Sequence, residues 1–274
     1  MKVTTISIDL AKNVFQVMGI TDTQKVIFNK RLNRSQLREL MQLHENCRVV
    51  MEACYSSNYW GRVFNEMGHR VELIPAQHVK PFVRGNKNDS NDTLAIFEAS
   101  NRPNIRPVPV KTEAQQEILM LHRLRERLLT AKTASSNQAR GLLVDFGIII
   151  PVGHKAFEEA MVEISQDEQQ RPLIRYLTED VLQEFRGLKK RLAEIEKKLI
   201  TYAKTSIAGQ ILLSIPGVGP IIASAFVASI GTGQAFNSAK EFAVWLGLTP
   251  KQAASGNKSV MLGISKRGDC YLRK

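Results

Sequence analysis

Short apolar runs in the first third of the chain predict a sheet with helices around it. Three runs rich in β-branched and aromatic residues, separated by polar turns, predict an antiparallel meander: VTTISIDLAKN, VFQVMGI and KVIFNKRL. A polar helical stretch, 34–44, precedes a buried strand, CRVVMEA. An amphipathic helix, SNYWGRVFNEMG, and a fifth strand, HRVELIP, follow. The element order is therefore β-β-β-α-β-α-β and then a helix, which predicts an α/β domain.

Four carboxylates stand at the ends of these predicted elements. The order is that of the ribonuclease-H-like fold, in which the first and fourth strands lie side by side, so Asp9 and Glu52 are expected to be neighbours. Asp89 and Asp92 open the next helix three residues apart and share one of its faces. Such a group would hold Mg²⁺ or Mn²⁺, because hard cations prefer oxygen ligands, and the ion would polarise a phosphate. The structural alternative is that the two aspartates only cap the helix and complement its dipole.

The charge of the chain fits a nucleic-acid partner. Its 38 basic and 26 acidic residues leave a net charge of +12, with a pI near 9.7. The excess is uneven: residues 1–100 carry +3, 101–150 carry +4, 151–210 carry none and 211–274 carry +5. The last segment is therefore the surface expected to contact a phosphate backbone. A basic excess also serves solubility, so charge alone does not decide the partner.

Cysteine and histidine patterns argue against two classes of protein. The three cysteines are odd in number and form no CxxC pair, and the five histidines lack zinc-type spacing. A disulfide scaffold and a zinc module are therefore not expected. The N-terminus enters the first strand without a signal-peptide pattern, which predicts a reduced, cytoplasmic protein.

One long apolar run, ILLSIPGVGPIIASAFVASIG (211–231), has the hydropathy of a membrane span. Prolines and glycines interrupt its middle, which favours a helix-hairpin-helix motif and argues against a membrane partner. In that motif the hairpin glycines, Gly217 and Gly219, turn backbone N–H groups toward a nucleic-acid phosphate. The alternative is a tight turn between two core helices, without a ligand.

Two helical periodicities connect the ends of the chain. Between about 113 and 143, a mostly apolar stripe recurs at three- and four-residue spacing: Leu121, Leu124, Leu128, Ala131, Ser135, Gln138 and Leu142. Arg123 and Arg127 lie on other faces, which are solvated charge unless RNA or DNA lies along them. Between about 177 and 204 a coiled-coil seam is predicted at Val181, Phe185, Leu188, Leu192, Ile195, Leu199 and Tyr202. The two helices either pack as an antiparallel pair or pair between protomers, and the need of a long seam for a partner favours a dimer.

The C-terminal region joins an apolar helix end, FAVWLGL, to a segment of small residues, AASGNKS, that is expected to be a loop. Small residues let a backbone and a hydroxyl approach a phosphate, and Ser255 precedes Gly256 in this segment. A serine is a weak nucleophile unless its surroundings activate it, and no histidine nearby marks a hydrolase triad. Lys258, Lys266 and Arg267 would instead stabilise charge on phosphorus and guide DNA. From spacing alone, Ser255 is an ordinary loop serine.

The chain resembles the DEDD transposases of prokaryotic insertion sequences, relatives of the pilin-gene DNA invertases. Seven motifs carry the resemblance, in order over nearly the whole chain: SIDLAK, MEA, KNDSND, IPGVGP, LGLTP, SGNK and ISKRGDCYLR. The resemblance implies a RuvC-like DEDD domain over 1–105, a helical coiled-coil connector over 106–206 and a helical transposase domain over 207–274. The chain stops at Lys274, where relatives usually continue, so we expect the last domain to be shortened.

The resemblance also implies roles for single residues. The four acids match the metal-site residues of the family, and Ser255, in the SG motif, matches its serine nucleophile. Such enzymes resemble recombinases that act on donor and target DNA, and some are directed by a structured guide RNA. A nucleoid-associated homodimer or homotetramer in the cytoplasm is expected. Two competing functions stay open: a metal-dependent junction resolvase that uses water instead of Ser255, and a non-catalytic nucleic-acid-binding scaffold.

Overall fold

The computed structural model describes residues 2–83, 89–256 and 258–273, without the side chain of Asp89. The chain forms two units: Met1–Glu113 with Gly233–Asn237, and Ala114–Thr232 with Ser238–Lys274. Each unit has its own hydrophobic core. The division into three domains, with boundaries at 105 and 206, stays a prediction.

The first unit contains a five-stranded sheet. Its strands are β1 (Thr5–Leu10), β2 (Val14–Ile20), β3 (Val26–Asn33), β4 (Arg48–Ala53) and β5 (Arg70–Pro75). The order across the sheet is β3-β2-β1-β4-β5, with β1, β2 and β3 antiparallel and with β1, β4 and β5 parallel. The meander, the two later strands and the pairing of the first strand with the fourth are all as the sequence predicts.

Helices cover both faces of this sheet. They are α1 (Arg34–Leu43), α2 (Ser57–Glu66), α3 (Ala76–Val79), a 3₁₀ turn (Lys80–Phe82) and α4 (Asp89–Ser100). Helix α1 begins at a capping box, in which the side chains of Asn33 and Gln36 each accept the backbone N–H of the other. Successive strand residues point to opposite faces, so each face has its own packing. One face packs on α1 and α2 through Ile6, Ile8, Val49, Met51, Leu73, Leu37, Met41, Trp60 and Phe64.

Helix α4 covers the opposite face of the sheet. Its Ala95, Ile96 and Ala99 pack against Val50 of β4 and Ile74 of β5. These residues are almost completely buried. Apolar contacts thus hold the C-terminal half of α4 on this face, and they help to set the position of its first turn, which carries the acids.

The second unit is mainly helical. Its helices are α5 (Glu113–Val144), α6 (His154–Gln166), α7 (Pro172–Thr205), α8 (Ile207–Leu213), α9 (Pro220–Ile230) and α10 (Ala239–Leu246). Two polar contacts give the direction of the long pair: Arg125 is 2.7 Å from Glu196, and Ser135 Oγ donates to Glu184 at 2.7 Å. Since the residue numbers rise along α5 as they fall along α7, the two helices are antiparallel.

The predicted seam on α7 is covered by helices of the same chain. Phe185, Leu192, Ile195 and Leu199 are buried against α5, α6 and α9, so the argument that the seam needs a second protomer is wrong. In the N-terminal half of α7 the buried residue is Leu182, one position after the predicted Val181. The C-terminal half of α5, which packs there, shows the same shift: the buried residues are Ser136, Ala139 and Leu143, and the predicted ones are Ser135, Gln138 and Leu142. A straight helix drifts against a strict seven-residue repeat, and α6 widens the contact at this end.

The segment expected to be a C-terminal loop is a β-hairpin. Strands β6 (Pro250–Ser255) and β7 (Lys258–Ile264) pair in antiparallel register, with Gly256 at the turn at φ +54°. The expectation of an all-helical C-terminal domain is therefore corrected. Small residues misled the interpretation, because a short turn that tolerates positive φ allows the flanking residues to pair. We call this hairpin, Pro250–Ile264, the ribbon.

The apolar run 211–231 folds into α8, a turn and α9. Among the helices of the described residues, none is both long enough and apolar enough to cross a membrane. The two short helices agree with the predicted interruption, whereas a nucleic-acid-binding role for the turn stays a prediction.

Candidate active site

The parallel pairing of β1 and β4 places two acids side by side at the C-terminal ends of these two inner strands. Ser7 pairs with Val50 and Ile8 with Met51, so the next positions along the two strands are Asp9 and Glu52. Ser7 and Val50 face α4, and the strand period of two places both acids on that same face. Each acid residue is half-buried. Asp9 and Glu52 thus directly follow the last residues paired between the two strands, in agreement with the adjacency expected from the element order.

Two hydrogen bonds fix the direction in which α4 crosses this face. Ser7 Oγ, which is fully buried, donates to the Thr93 carbonyl oxygen at 2.7 Å. At the other end Arg48 Nη2 donates to the Ser100 carbonyl oxygen at 2.8 Å. Thr93 therefore lies near the acid-bearing end of the strands, and Ser100 lies near the start of β4. The helix runs antiparallel to β1 and β4, with its first turn at the strand ends that carry the acids.

Asp92 lies in that first turn. It is half-buried and precedes the fully buried Ile96 by four residues, so it shares the face that packs on the sheet. Asp89 is the first residue of α4, three positions before Asp92. The side chain of Asp89 lies outside the described residues, so its predicted place in the cluster is not tested by the geometry.

The donor chemistry of these acids suits a hard divalent cation, because carboxylate oxygens are the ligands that Mg²⁺ and Mn²⁺ prefer. Within the described ranges, no group of three or more histidine, cysteine, aspartate or glutamate side chains forms a metal-binding set. Asp9, Glu52 and Asp92 therefore do not make a closed set by themselves. Metal binding at this site stays a prediction.

A salt-bridged arginine anchors the far end of α4. Arg48 Nη2 lies 2.7 Å from Glu72 Oε2, and Arg48 also donates to Asn101 Oδ1 at 2.8 Å. The Glu72 side chain is only 10% exposed and also pairs with Arg70 at 3.1 Å. Together with Ser7, Arg48 holds the helix at two points. Neither residue is identifiable from the sequence, because their partners lie 86 and 52 residues away along the chain.

Ser255 lies at the tip of the ribbon. As the last residue of β6 it pairs with Lys258, the first residue of β7. Directly paired residues occupy one face of a hairpin, so Lys258 flanks Ser255. Ser259 lies on the opposite face, where its Oγ accepts a hydrogen bond from Gln252 at 2.8 Å. All described residues of both strands are exposed.

The other two predicted cations lie at the base of the ribbon. Strand β7 runs from Lys258 at the tip to Ile264 at the base, a length of about 20 Å. Lys266 lies beyond that base, where its backbone N–H donates to the Gly247 carbonyl at 3.0 Å. Within one chain, Lys258 is thus beside Ser255, whereas Lys266 and Arg267 are not.

The remaining predicted nucleic-acid contacts are in α5 and in the turn before α9. At Gly217, where φ is +87°, and at Gly219 an added Cβ would meet no described atom within 4 Å, so both positions are open to close approach. Arg123 and Arg127 are exposed one turn apart on α5, and Arg123 lies 3.6 Å from Glu126. These positions permit contact with a phosphate backbone, but that role stays a prediction.

A buried histidine, missed in the sequence, connects distant parts of the second unit. His122 Nδ1 lies 2.8 Å from Tyr271 Oη, and its Nε2 lies 3.1 Å from Ser224 Oγ. Burial, with smaller contributions from Arg125 and Arg123, lowers the pKa of His122 to about 4. The ring is therefore neutral at neutral pH and joins α5, α9 and the segment that follows the ribbon.

The sheet order and the acid-bearing strand ends are those of the ribonuclease-H-like class of fold. Comparison with known proteins identifies the family within this class of fold. A model for DEDD transposases of the IS110 type matches residues 6–148, and the model described as transposase IS116/IS110/IS902 family matches residues 209–274. The chain belongs to this family of transposases, which are DNA-processing enzymes.

Several curated relatives resemble the chain over nearly its whole length. A probable family 20 transposase of Pseudomonas aeruginosa is 41% identical, over 100% of this chain and 82% of the relative. The transposase for insertion sequence element IS1111A of Coxiella burnetii is 40% identical, over 98% of this chain and 74% of the relative. The transposase for element IS1328 of Yersinia enterocolitica is 37% identical, over 99% and 81%.

Proposed function

We propose that this protein is the transposase of an insertion sequence, which cleaves and rejoins DNA strands through Ser255 with Mg²⁺ held by the four acids. The observation that carries the proposal is the direction of α4, which brings Asp92 to the strand ends that bear Asp9 and Glu52. Family membership extends the argument to the second unit, where Ser255 and Lys258 stand together.

The proposed step exchanges one phosphodiester for another and so conserves the energy of the broken bond. The Ser255 hydroxyl loses its proton to solvent or to a nearby base as its oxygen attacks phosphorus. The new oxygen–phosphorus bond forms as the bond to the leaving strand breaks, and the leaving oxygen takes up a proton. A DNA hydroxyl can later attack the phosphoserine, rejoin a strand and release the serine without an external energy source.

The charged residues have separate tasks in this proposal. Asp9, Glu52, Asp89 and Asp92 would hold Mg²⁺, or Mn²⁺ in its place, and the bound ion would polarise the scissile phosphate. Lys258 opposes the negative charge that grows on the phosphate oxygens during the attack. Because Lys258 shares the face of Ser255, it can do so at the ribbon tip itself.

The partners follow from the same proposal. Donor and target DNA are the substrates, and a structured RNA from the element would select them. A homodimer or homotetramer would hold two DNA segments together. The exposed arginines of α5 and the open turn at Gly217 are the surfaces that would bind the phosphate backbone.

The decisive experiment traps the covalent link between serine and DNA. Wild-type protein incubated with element-end DNA and Mg²⁺ should yield an adduct that survives denaturing electrophoresis. Ser255→Ala should bind the DNA and give neither adduct nor recombinant. Ser259→Ala changes a serine on the opposite face of the same ribbon and should retain the adduct. Strand cleavage by Ser255→Ala at the wild-type rate would support the water-using nuclease instead.

A mixing experiment tests whether the acids and the serine act in one chain or between two. Asp92→Asn and Ser255→Ala are each expected to be inactive alone. If the two residues act together only across protomers, mixed oligomers regain activity, because one acid site and one serine can still meet. If each protomer needs both of its own residues, the mixture stays inactive.

A further inference from the structure

A polar row crosses the sheet beside the candidate acid site. Asp9 of β1 pairs directly with Gln16 of β2, and Gln16 pairs directly with Arg31 of β3. Directly paired residues lie on one face of a sheet, so all three share the face of α4. Two strand spacings, about 10 Å, separate the positions of Asp9 and Arg31.

Hydrogen bonds hold the amides of this row in place. The Gln16 amide nitrogen donates to Asn29 Oδ1, and Asn29 Nδ2 donates to Ser90 Oγ at 2.7 Å. Ser90 belongs to the first turn of α4, next to Asp89. The row is therefore connected to the acid-bearing helix as well as to the acid-bearing strand. Asn29, Arg31 and Ser90 are exposed, and Gln16 is half-buried.

We infer that Gln16, Asn29 and Arg31 form a subsite for the sugar–phosphate backbone of the DNA strand that enters the acid site. The inference rests on the proposed function and adds a binding site to it. Arg31 supplies a guanidinium that can bind a phosphate with two parallel hydrogen bonds. Each of the two ordered amides has a second N–H, which can donate to a phosphate or sugar oxygen.

Spacing supports this assignment. A separation of about 10 Å corresponds to no more than about three nucleotides at about 3.4 Å of axial rise each. Arg31 would thus hold a phosphate a few nucleotides from the reacting one. The positive charge of Arg31 would also offset the repulsion between a polyanion and the acids on the same face.

The chain offers a matched control for this subsite. Lys30 and Arg31 are adjacent, exposed and equally charged. Lys30 pairs with Val17, whose side chain belongs to the core on the opposite face, under α1 and α2. Arg31→Ala and Lys30→Ala therefore remove the same charge from nearly the same place in the fold, but only the first changes the face of α4.

The test measures binding of labelled duplex DNA, single-stranded DNA and an RNA hairpin at several salt concentrations, with Ca²⁺ in place of Mg²⁺. Arg31→Ala should weaken DNA binding by about three- to tenfold. It should also make the fall of log K with log salt shallower, by about one unit of slope. Arg31→Lys should restore much of the affinity, and Lys30→Ala should bind like the wild type. Circular dichroism of each variant confirms that it is folded.

Several results would overturn the subsite. They are equal losses in Arg31→Ala and Lys30→Ala, no loss in either, a loss confined to RNA, or a wild-type chain that binds none of the three probes. The proposed function fails by a different result, namely recombination by Asp92→Asn or Ser255→Ala at the wild-type rate. A selective loss of DNA affinity in Arg31→Ala would support the subsite even then.

Discussion

The acid site and the ribbon tip are built in opposite ways. Asp9, Glu52 and Asp92 are half-buried on a sheet and a helix, and the helix is tied down at Ser7 and at Arg48. Ser255 stands at the tip of a two-stranded hairpin whose described residues are all exposed. This difference suits the proposed roles, because metal ligands need fixed positions, whereas a nucleophile that must reach a DNA phosphate and later release it benefits from an exposed support.

The base of the ribbon is nevertheless held firmly. The Ser265 N–H donates to the Thr249 carbonyl at 2.8 Å, and Arg273 Nη1 donates to the Leu246 carbonyl at 3.0 Å. Tyr271 then contacts the buried His122. The ribbon is thus anchored where it leaves the helices and open where Ser255 lies. This contrast leads to different expectations for substitutions in the two regions.

The largest effect is expected at the acid site. Asp92→Asn keeps the shape of the side chain but removes a negative charge, so it should cost recombination at least about a hundredfold and weaken Mg²⁺ binding. Calorimetric titration with Mg²⁺ and a recombination assay measure the two effects. Asp22→Asn, the same change in an exposed turn of the same unit, is the control and should be silent. Unchanged Mg²⁺ affinity in Asp92→Asn would remove this residue from the metal site.

The sequence was sufficient for the first unit because its sheet follows local rules. Alternation and β-branched runs predict all five strands, and the element order then predicts that β1 and β4 pair. The acids follow from that pairing, since Asp9 and Glu52 are the next positions in its register. Local patterns did not predict that Ser7 and Arg48 anchor α4, because the partners of these residues are backbone carbonyls of a helix that is distant in the sequence.

The second unit was harder to predict for physical reasons. A seven-residue repeat shows that α7 has an apolar stripe, but it does not say whether the stripe meets another chain or the helix α5 of its own chain. The ribbon was missed because small residues such as Ala253 and Ala254 carry little strand signal. The pairing of these residues depends on a turn at Gly256, which a loop of the same composition would also contain.

The next largest effect is expected on stability, at the anchored end of α4. Arg48→Met leaves Glu72 largely buried without its nearest cation, and should lower the free energy of unfolding of the first unit by about 3 kcal/mol. Arg70→Met removes a cation from the same carboxylate, but the Arg70 side chain is 81% exposed, so its loss should cost less than about 1 kcal/mol. Urea titration of both variants measures the difference. Equal losses would mean that Arg48 does not anchor the helix.

A smaller, pH-dependent effect is expected at the base of the ribbon. The pKa of His122 is about 4 in the fold and about 6.5 in an unfolded chain. The unfolded state therefore binds more protons between these values, and stability is lost as the pH falls through this window. From pH 7 to pH 5 the loss attributable to His122 should be about 2 kcal/mol. Urea titrations at the two pH values should show this part of the pH dependence disappear in His122→Gln.

The control for this experiment is His78→Gln, at a half-buried position in the first unit. This variant should retain the pH dependence of the wild type in the unfolding of the second unit. An unchanged pH dependence in His122→Gln would show that the ring is not held neutral between Tyr271 and Ser224. The contact between Tyr271 and His122 would then not count as an anchor for the base of the ribbon.

The smallest effect on stability is expected at Ser7, where the consequence for the site is larger than the energy lost. Ser7→Ala removes one hydrogen bond to the Thr93 carbonyl and should cost about 1 kcal/mol. Because this bond lies one residue from Asp92, its loss should also loosen the first turn of α4 and weaken Mg²⁺ binding several-fold.

Ser136→Ala is the matched control for Ser7→Ala. The buried Ser136 hydroxyl also donates to a backbone carbonyl, that of Thr133, but within its own helix in the second unit. It should cost similar stability and leave the calorimetric Mg²⁺ affinity unchanged. If both variants bind Mg²⁺ like the wild type, the buried hydroxyl of Ser7 contributes only to the fold, and apolar packing with the Arg48 anchor keeps the acids in place.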